Sequence, residues 1–390
     1  MTSNQGNAYI VGAYEHPTRY APDKSVTQLH AESALGALRD AGLTLADVDG
    51  YFCAGDAPGS TPLSMAEYLN LNLKWIDGTE LGGCSYMVHV RHAALAIAEG
   101  KCSVALITLA GKPKSTGMAT GTKPRSLGPE RPETPFDLPY QTTITSVYGM
   151  LAQRHMHEFG TTPEQMAAVK VAASTHAQYN ELALLRKVVS VEDVVNSPMI
   201  ASPLHRLDCC VITDGGGALV LTNAEIAKKI KRPLVKIIGT GETINTSNGG
   251  YLDATRSGAA VTGQMAFKQA GVTVNDIKYA SIYDNFTIMV LIQLEDLGFC
   301  KKGQSGAFVA EGNLISGKGK LPWNTDGGGL CNNHPNNRGG ITKVIEAVRQ
   351  LRGEAHPSVQ VKNCDIALAS GPGLVLGVGH AHSTIIMERE

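Results

Sequence analysis

A chain of 390 residues is too long for one typical hydrophobic core, so two or three packed units are expected. A net charge of -1 excludes the basic bias of a nucleic-acid or membrane-surface protein, and no run approaches the apolar length of a membrane span. The N-terminal residues lack the pattern of a secretory signal, and the eight cysteines are scattered without a CxxC pair, which leaves a reduced, cytoplasmic enzyme with no zinc ribbon of its own as the expectation.

The first half reads as alternating strands and helices. Residues 8–12 form a short strand, and residues 25–41 carry Ala31, Ala34, Leu35 and Leu38 at helical spacing, with Gly42 as the stop. Residues 48–53 are strand-like. Glu80-Leu81-Gly82-Gly83-Cys84-Ser85 follows, where two glycines allow a sharp bend before an alanine-rich helix at 88–99. A thiol at a helix N-terminus feels the positive end of the dipole, which favours the nucleophilic thiolate. A free cysteine is as often an inert, buried hydrophobe, so the rest of the chain must decide. A buried strand at 103–109 completes a β-α-β alternation, the signature of a parallel or mixed sheet covered by helices.

From 111 to about 141 the pattern gives way to a long, basic, proline-rich excursion containing Lys112, Lys114, Lys123 and Arg125. Helices return at 146–159 and 163–180, the second with Thr162 as N-cap, and a strand is predicted at 211–221, interrupted by Asp214 and three glycines. The second half repeats the plan more loosely. It gives a strand at 234–239, a helix at 258–271, a strand at 279–283, helices at 287–297 and 339–352, and closing strands at 366–369 and 384–387. Gly82-Gly83-Cys84 precedes one helix; Gly327-Gly328-Gly329-Leu330-Cys331-Asn332-Asn333-His334-Pro335 precedes another. The pattern predicts a duplicated α/β unit with one catalytic loop from each copy.

At these residues the chain resembles a thiolase. Residues 154–162 and 208–215 resemble stretches of the thiolases related to sterol-carrier proteins. Cys84 matches the family's acylated cysteine. Tyr283-Asp284-Asn285-Phe286 matches a motif written Asn-Glu-Ala-Phe in many members and His-Asp-Cys-Phe in the sterol-carrier branch. Asn332-Asn333-His334-Pro335 matches Gly-His-Pro, with asparagine in place of that glycine. The resemblance implies a thiolase fold, with two similar βαβαβ-type halves forming a five-layered αβαβα core. The halves would be residues 1–225, with an inserted loop domain at about 112–205, and residues 226–390.

It also implies roles. Cys84 would attack the keto carbon of a β-ketoacyl-CoA, and a second coenzyme A would collect the acyl group. His334 would activate Cys84 and donate a hydrogen bond to a thioester oxygen, while Asn285 would hold a water or donate in that same oxyanion hole. A second hole would pair the Cys84 N–H with one from the Ser370-Gly371-Pro372-Gly373 loop. That loop lacks the acid/base cysteine other thiolases carry, so Cys331, His382 and Tyr283 stand as candidates to protonate the released carbon. Cys331 is equally a packing residue and His382 equally an edge residue; Cys209 and Cys210 read as strand packing, and His89 and His92 as interface or surface residues. Lys112, Lys114, Lys123 and Arg125 are either a clamp for the coenzyme A phosphates or a solvated loop.

Gly82-Gly83-Cys84-Ser85-Tyr86 and Gly379-His380-Ala381-His382-Ser383 resemble a bacterial branch that works with a small partner containing a zinc ribbon and an OB-like domain, which implies such a partner on a homodimeric core. Aldolases of that branch do without an acylated cysteine and tend to carry tyrosine instead of His-Pro, so Cys84 and His334 point to thiolysis. The substrate suggested is 2-benzoylsuccinyl-CoA, from the degradation of an aromatic compound. The alternatives are a retro-aldolase acting on a hydroxyacyl-CoA with a steroid side chain, and a non-catalytic acyl-CoA or lipid carrier.

Overall fold

The computed structural model describes residues 8–120, 143–245, 253–335, 339–375 and 379–390. Strand β1 (Ala8–Glu15) turns alternate residues to opposite sides, as a strand must. Helix α1 (Val26–Ala41) starts at Ser25, whose hydroxyl accepts the Gln28 N–H, and ends at Gly42 in the left-handed conformation. Next come β2 (Gly50–Phe52), α2 (Pro62–Tyr68), β3 (Trp75–Asp77), α3 (Ser85–Ala98) and β4 (Val104–Gly111). An inserted unit holds α4 (Ile144–Phe159), α5 (Pro163–Ala177), α6 (Val191–Val195) and the antiparallel pair β5 (Met199–Ala201) and β6 (Leu204–His205). Strand β7 (Gly215–Asn223) and α7 (Ala224–Ala227) follow. The second half contributes β8 (Val235–Ile244), α8 (Ala259–Ala270), β9 (Tyr279–Ile282), α9 (Thr287–Asp296), α10 (Ser305–Ala310), α11 (Gly328–Cys331), α12 (Gly340–Arg352), β10 (Ile366–Val375) and β11 (Gly379–Arg389).

Among the described residues nine strands run β3-β2-β4-β7-β1-β8-β11-β10-β9. Read outward from the β1/β8 junction, the two sides match. Strand β1 is antiparallel to β7, which is antiparallel to β4, which is parallel to β2. Likewise β8 is antiparallel to β11, which is antiparallel to β10, which is parallel to β9. The junction itself joins Tyr9 with Lys236 and Ile10 with Val235.

The duplication extends to side chains. After each first helix a glycine stop leads to threonine and, three residues on, aspartate: the Asp47 carboxylate accepts the Thr44 N–H, and Asp276 accepts that of Thr273, both at 2.8 Å. Gly12 of β1 lies under the Ala37 carbonyl of α1, as Gly239 of β8 lies under the Ala266 carbonyl of α8.

Burial divides the molecule into five layers. Helix α1 covers Val11, Leu106 and Val220 on the outer side of the first half. Helices α3 and α12 lie between the halves, packing Met87, Val90, Val344 and Val348 against Ile10, Ile107 and Leu219 on one side and Ala369, Ile385 and Met387 on the other. On the far side, Ala266, Leu291 and Val169 close over Ala280, Leu368 and Ile386. Each valine, leucine, isoleucine or methionine among them, fully buried, contributes about 1.5–3 kcal/mol, so the central helices anchor both halves. No helix among the described residues is long and apolar enough to cross a membrane.

Several elements end a few residues from the sequence expectation, β1, β8 and β10 among them, and for two strands the cause is plain. The strand expected at 211–221 starts only at Gly215, because Val211 gives its N–H to Gly329 and Thr213 gives its hydroxyl to Asn333. The last strand spans Gly379–Arg389 rather than 384–387, since it is paired on both edges. Lys123 and Arg125 lie outside the described residues.

A Cβ at Gly12 would sit 2.2 Å from the Ala37 oxygen and one at Gly239 2.3 Å from the Ala266 oxygen. Gly12→Ala and Gly239→Ala should each cost about 1–3 kcal/mol in chemical denaturation. Burial also holds His89 and His176 near pKa 4, against an ordinary value of about 6.5. Between those values the unfolded chain binds more protons, so stability should fall as pH drops from about 6.5 toward 4. His176→Gln, which keeps an acceptor for the Ser316 N–H, should flatten that slope in melting curves.

Candidate active site

The Cys84 loop is built by carboxylate and hydroxyl contacts to its own backbone. Glu80 accepts the N–H groups of Gly55 and Gly82, each at 2.7 Å, and Ser85 Oγ accepts that of Leu81 at 2.7 Å. Gly82 takes φ +68°, the left-handed turn that delivers Cys84 to the start of α3. There the thiol is fully buried and donates to the Leu81 carbonyl at 3.6 Å. Burial, reinforced by the charges of Glu242 and Glu80, drives the Cys84 pKa far above its ordinary value. The helix-start position is as the sequence predicts, but burial outweighs the dipole, and the sulfur is held as a thiol.

The second centre joins β9 to the loop before α12. Tyr283 Oη and His334 Nε2 stand 2.8 Å apart, and Tyr283 Oη also accepts the Gly339 N–H at 3.2 Å. In the tautomer that leaves Nε2 unprotonated, the phenol donates its proton to the imidazole. Burial lowers the His334 pKa to about 4, against a raising effect from Asp284 and with a further lowering from Lys343. Burial likewise keeps Tyr283 well above its ordinary value. Both groups are neutral at pH 7, a paired acid and base.

These centres converge through the backbone. Cβ atoms built at Gly83 and Gly373 would lie 3.1 Å from Tyr283 Oη and 2.6 Å from Cys84 Sγ respectively. One built at Gly340, at the N-terminus of α12, would lie 2.3 Å from the Gly83 carbonyl oxygen. Gly371 stands against the Tyr283 side chain. Residues 370–373, expected as a loop, are part of β10, where Gly371 and Gly373 stand opposite Ser383 and Ala381 of β11 and Pro372 between them has no N–H.

The other predicted residues fall elsewhere. Asn285 spends its amide on Tyr148 Oη at 2.8 Å and on the Phe286 N–H at 3.0 Å. Tyr283, the first residue of the four-residue motif, is the one that meets His334. Cys331 packs with Ala177 and Leu330 in the cluster under α5, whereas Cys84 packs with Val88 and Ala381. His382 follows Ala381 on β11 and so faces the opposite side, where Nδ1 meets Thr262 Oγ1 of α8 at 3.0 Å. Lys112 donates to the Pro22 and Lys24 carbonyls, and Lys114 lies 5.6 Å from the centre of the Tyr20 ring. His89 is buried, its Nε2 at 2.9 Å from the Thr79 carbonyl, and His92 bridges Asp77 and Glu242 at 2.6 and 3.1 Å.

Sequence reasoning passed over Asp284 and Lys343. Asp284 accepts the N–H groups of Gly329 and Leu330 at 2.8 and 3.1 Å and pairs with Lys343 at 2.8 Å, all fully buried. That carboxylate fastens α11, and hence the loop bearing His334, to the end of β9. Its place as the acidic second residue of the motif was the available signal; Lys343, one of three cations in its helix with Arg349 and Arg352, gave none.

Residues 241–389 match the family described as thiolase C-terminal domain-like. A 17-hydroxy-3-oxo-4-pregnene-20-carboxyl-CoA lyase of Mycobacterium tuberculosis is 34% identical over 95% of this chain and 99% of its own length. The benzoylsuccinyl-CoA thiolase subunit BbsB of Thauera aromatica is 35% identical, but over 56% of this chain and 57% of its own. A solved structure, an Ltp2-ChsH2(DUF35) aldolase, superposes with a TM-score of 0.87 at 32% identity, covering 98% of this chain and 97% of that one. The chain belongs to the thiolase superfamily.

Two outcomes test the site. Iodoacetamide at pH 8 should label Cys84 more slowly than a model thiol by at least about tenfold, since burial suppresses the thiolate; mass spectrometry reads the rate. Gly373→Ala, with its Cβ 1.8 Å from the Leu81 carbonyl oxygen, should displace the Cys84 loop and lower the melting temperature by several degrees.

Proposed function

We propose that this enzyme cleaves the bond between the α- and β-carbons of a β-hydroxyacyl-CoA by a retro-aldol reaction. The observation that carries the reading is the Tyr283–His334 hydrogen bond, at 2.8 Å, beside a Cys84 thiol turned to a carbonyl rather than to a base. The β-hydroxyl gives its proton to Tyr283 as Tyr283 passes its own to His334 Nε2. The Cα–Cβ bond breaks, the β-carbon becomes a carbonyl, and the electron pair forms the thioester enolate. Backbone N–H groups of Cys84 and of Gly371 or Gly373 would hold the enolate oxygen. A proton returned from the pair to the α-carbon yields the shorter acyl-CoA, and no further reactant is consumed.

The relatives support this order of preference. The compound named for the M. tuberculosis lyase carries its hydroxyl on the carbon β to the thioester, and that likeness spans nearly the whole chain. Coenzyme A enters as part of the substrate. A small partner subunit, of the zinc-ribbon and OB-like type, is part of the proposal, by analogy with the two-component aldolase structure.

A second reading, thiolysis, is favoured by Cys84 itself, buried at the start of α3 against Gly373 and beside the same pair. Its substrate would be 2-benzoylsuccinyl-CoA, split with coenzyme A into benzoyl-CoA and succinyl-CoA. One set of variants separates the two. On the retro-aldol reading Tyr283→Phe and His334→Asn lower kcat by about 10²- to 10⁴-fold on a bulky β-hydroxyacyl-CoA, while Cys84→Ala keeps turnover within a few-fold. Loss of all turnover in Cys84→Ala, with an acyl adduct trapped on Cys84 of the wild type, would replace it by thiolysis.

A further inference from the structure

Arg19, in the turn after β1, commits all its hydrogens within one small region. Its Nε donates to the Asn332 carbonyl at 3.2 Å, and Nη2 donates to Asn332 Oδ1 at 2.7 Å and Glu15 Oε1 at 2.8 Å. Nη1 donates to the carbonyls of His16 and Thr18, both at 2.9 Å. A guanidinium has five N–H groups, and these five acceptors satisfy them all.

Glu15, the last residue of β1, collects the remaining donors. Its Oε1 also accepts from Asn332 Nδ2 at 3.2 Å and Asn333 Nδ2 at 2.9 Å. Asn332 Nδ2 gives its other hydrogen to Asp326 at 2.9 Å. Thr213 donates to Asn333 Oδ1 at 2.6 Å and accepts the His334 N–H at 2.9 Å. Glu15, Arg19, Asn332 and Asn333 are all buried, so water offers no substitute partners.

Apart from the Asp326 contact and the bonds of Arg19 to Glu15, His16 and Thr18, every link runs from the first half to Asn332, Asn333 or the His334 N–H. We propose that Glu15 and Arg19 are positioning residues that hold the His334 imidazole against Tyr283, so that the end of β1 sets the acid–base geometry of the other half. The inference rests on the reading of His334 as the base. Net stability is a weak rationale for the pair, because a buried ion pair is often no more stabilising than apolar side chains of like volume. A fully satisfied planar fork instead fixes direction, since each of its donors has one acceptor in one place. The two asparagines supply acceptors and donors that glycine at this point of the motif could not.

The test reads the imidazole directly. In the full-length protein, ring-proton resonances of the histidines are followed against pH, with His334→Asn assigning the signal. Two variants are compared with wild type: Arg19→Lys, which keeps the charge but not the fork, and Glu15→Met/Arg19→Met, which removes both charges of the pair while Arg349, 3.8 Å from Glu15, keeps its partner Glu346. Tyr283, Asp284 and Lys343, the ionisable groups beside the imidazole, are unchanged in both. The His334 midpoint should rise from about 4 by at least about one unit toward 6.5 in each variant, as the ring leaves its buried contact with Tyr283. A melting temperature that falls while the His334 titration stays at its wild-type midpoint would reduce the pair to a structural role and overturn the proposal. This readout needs no substrate, so it is separate from the fate of the retro-aldol reading, which falls if His334→Asn retains full turnover.

Discussion

Where the two halves meet at the candidate site, backbone touches backbone, and glycine alone permits it. Gly340 brings the start of α12 onto the Gly83 carbonyl, and Gly373 brings β10 onto Leu81 and the Cys84 sulfur. A methyl group at either place would occupy the same space as a carbonyl oxygen. These approaches set how far α3 and α12 can slide past one another. The position of Cys84 relative to Tyr283 and His334 follows from them, since one centre belongs to each half. The packing of large apolar side chains around the two central helices then fixes what the glycines allow.

Within that frame the electrostatics favour neutral groups over charged ones. A histidine held near pKa 4 and a phenol held above its usual value share one hydrogen bond and no net charge. Charge is kept one layer back, where Asp284 and Lys343 neutralise each other and the carboxylate also takes two backbone N–H groups. The arrangement suits a reaction in which a proton leaves a hydroxyl and returns to a carbon. It is less suited to holding a free thiolate, for which no cation stands in hydrogen-bonding contact with the sulfur among the described residues.

Local features of this site are legible in the sequence and relational ones are not. Gly-Gly-Cys before a helix and Asn-Asn-His-Pro before another announce themselves, because each is a contiguous run with its own turn chemistry. The four residues 283–286 also stand out, but which of them meets His334 depends on how β9 ends, and the structure gives that place to Tyr283 while Asn285 turns to Tyr148. His382 shows the same limit: shifting attention by one residue along β11, to Ala381, changes the face from α8 to Cys84. The duplication is written plainly in Ala41-Gly42-Leu43-Thr44 and Ala270-Gly271-Val272-Thr273. The inserted unit and the unequal spacing of the later elements obscure it. Partners far apart in the chain, such as Asp284 with Lys343 or Glu15 with Asn333, have no sequence signal until the sheet brings them together.

The near-symmetry about β1 and β8 carries a historical implication. Two equal copies of an ancestral unit would once have been interchangeable, each able to pair with another of its kind. In this chain one copy carries the thiol and the other the imidazole, and the imidazole's loop is tied to Arg19, Glu15 and Thr213 of the first copy. The copies have become lock and key to one another. A pair of identical halves of either kind would lack either the thiol or the imidazole.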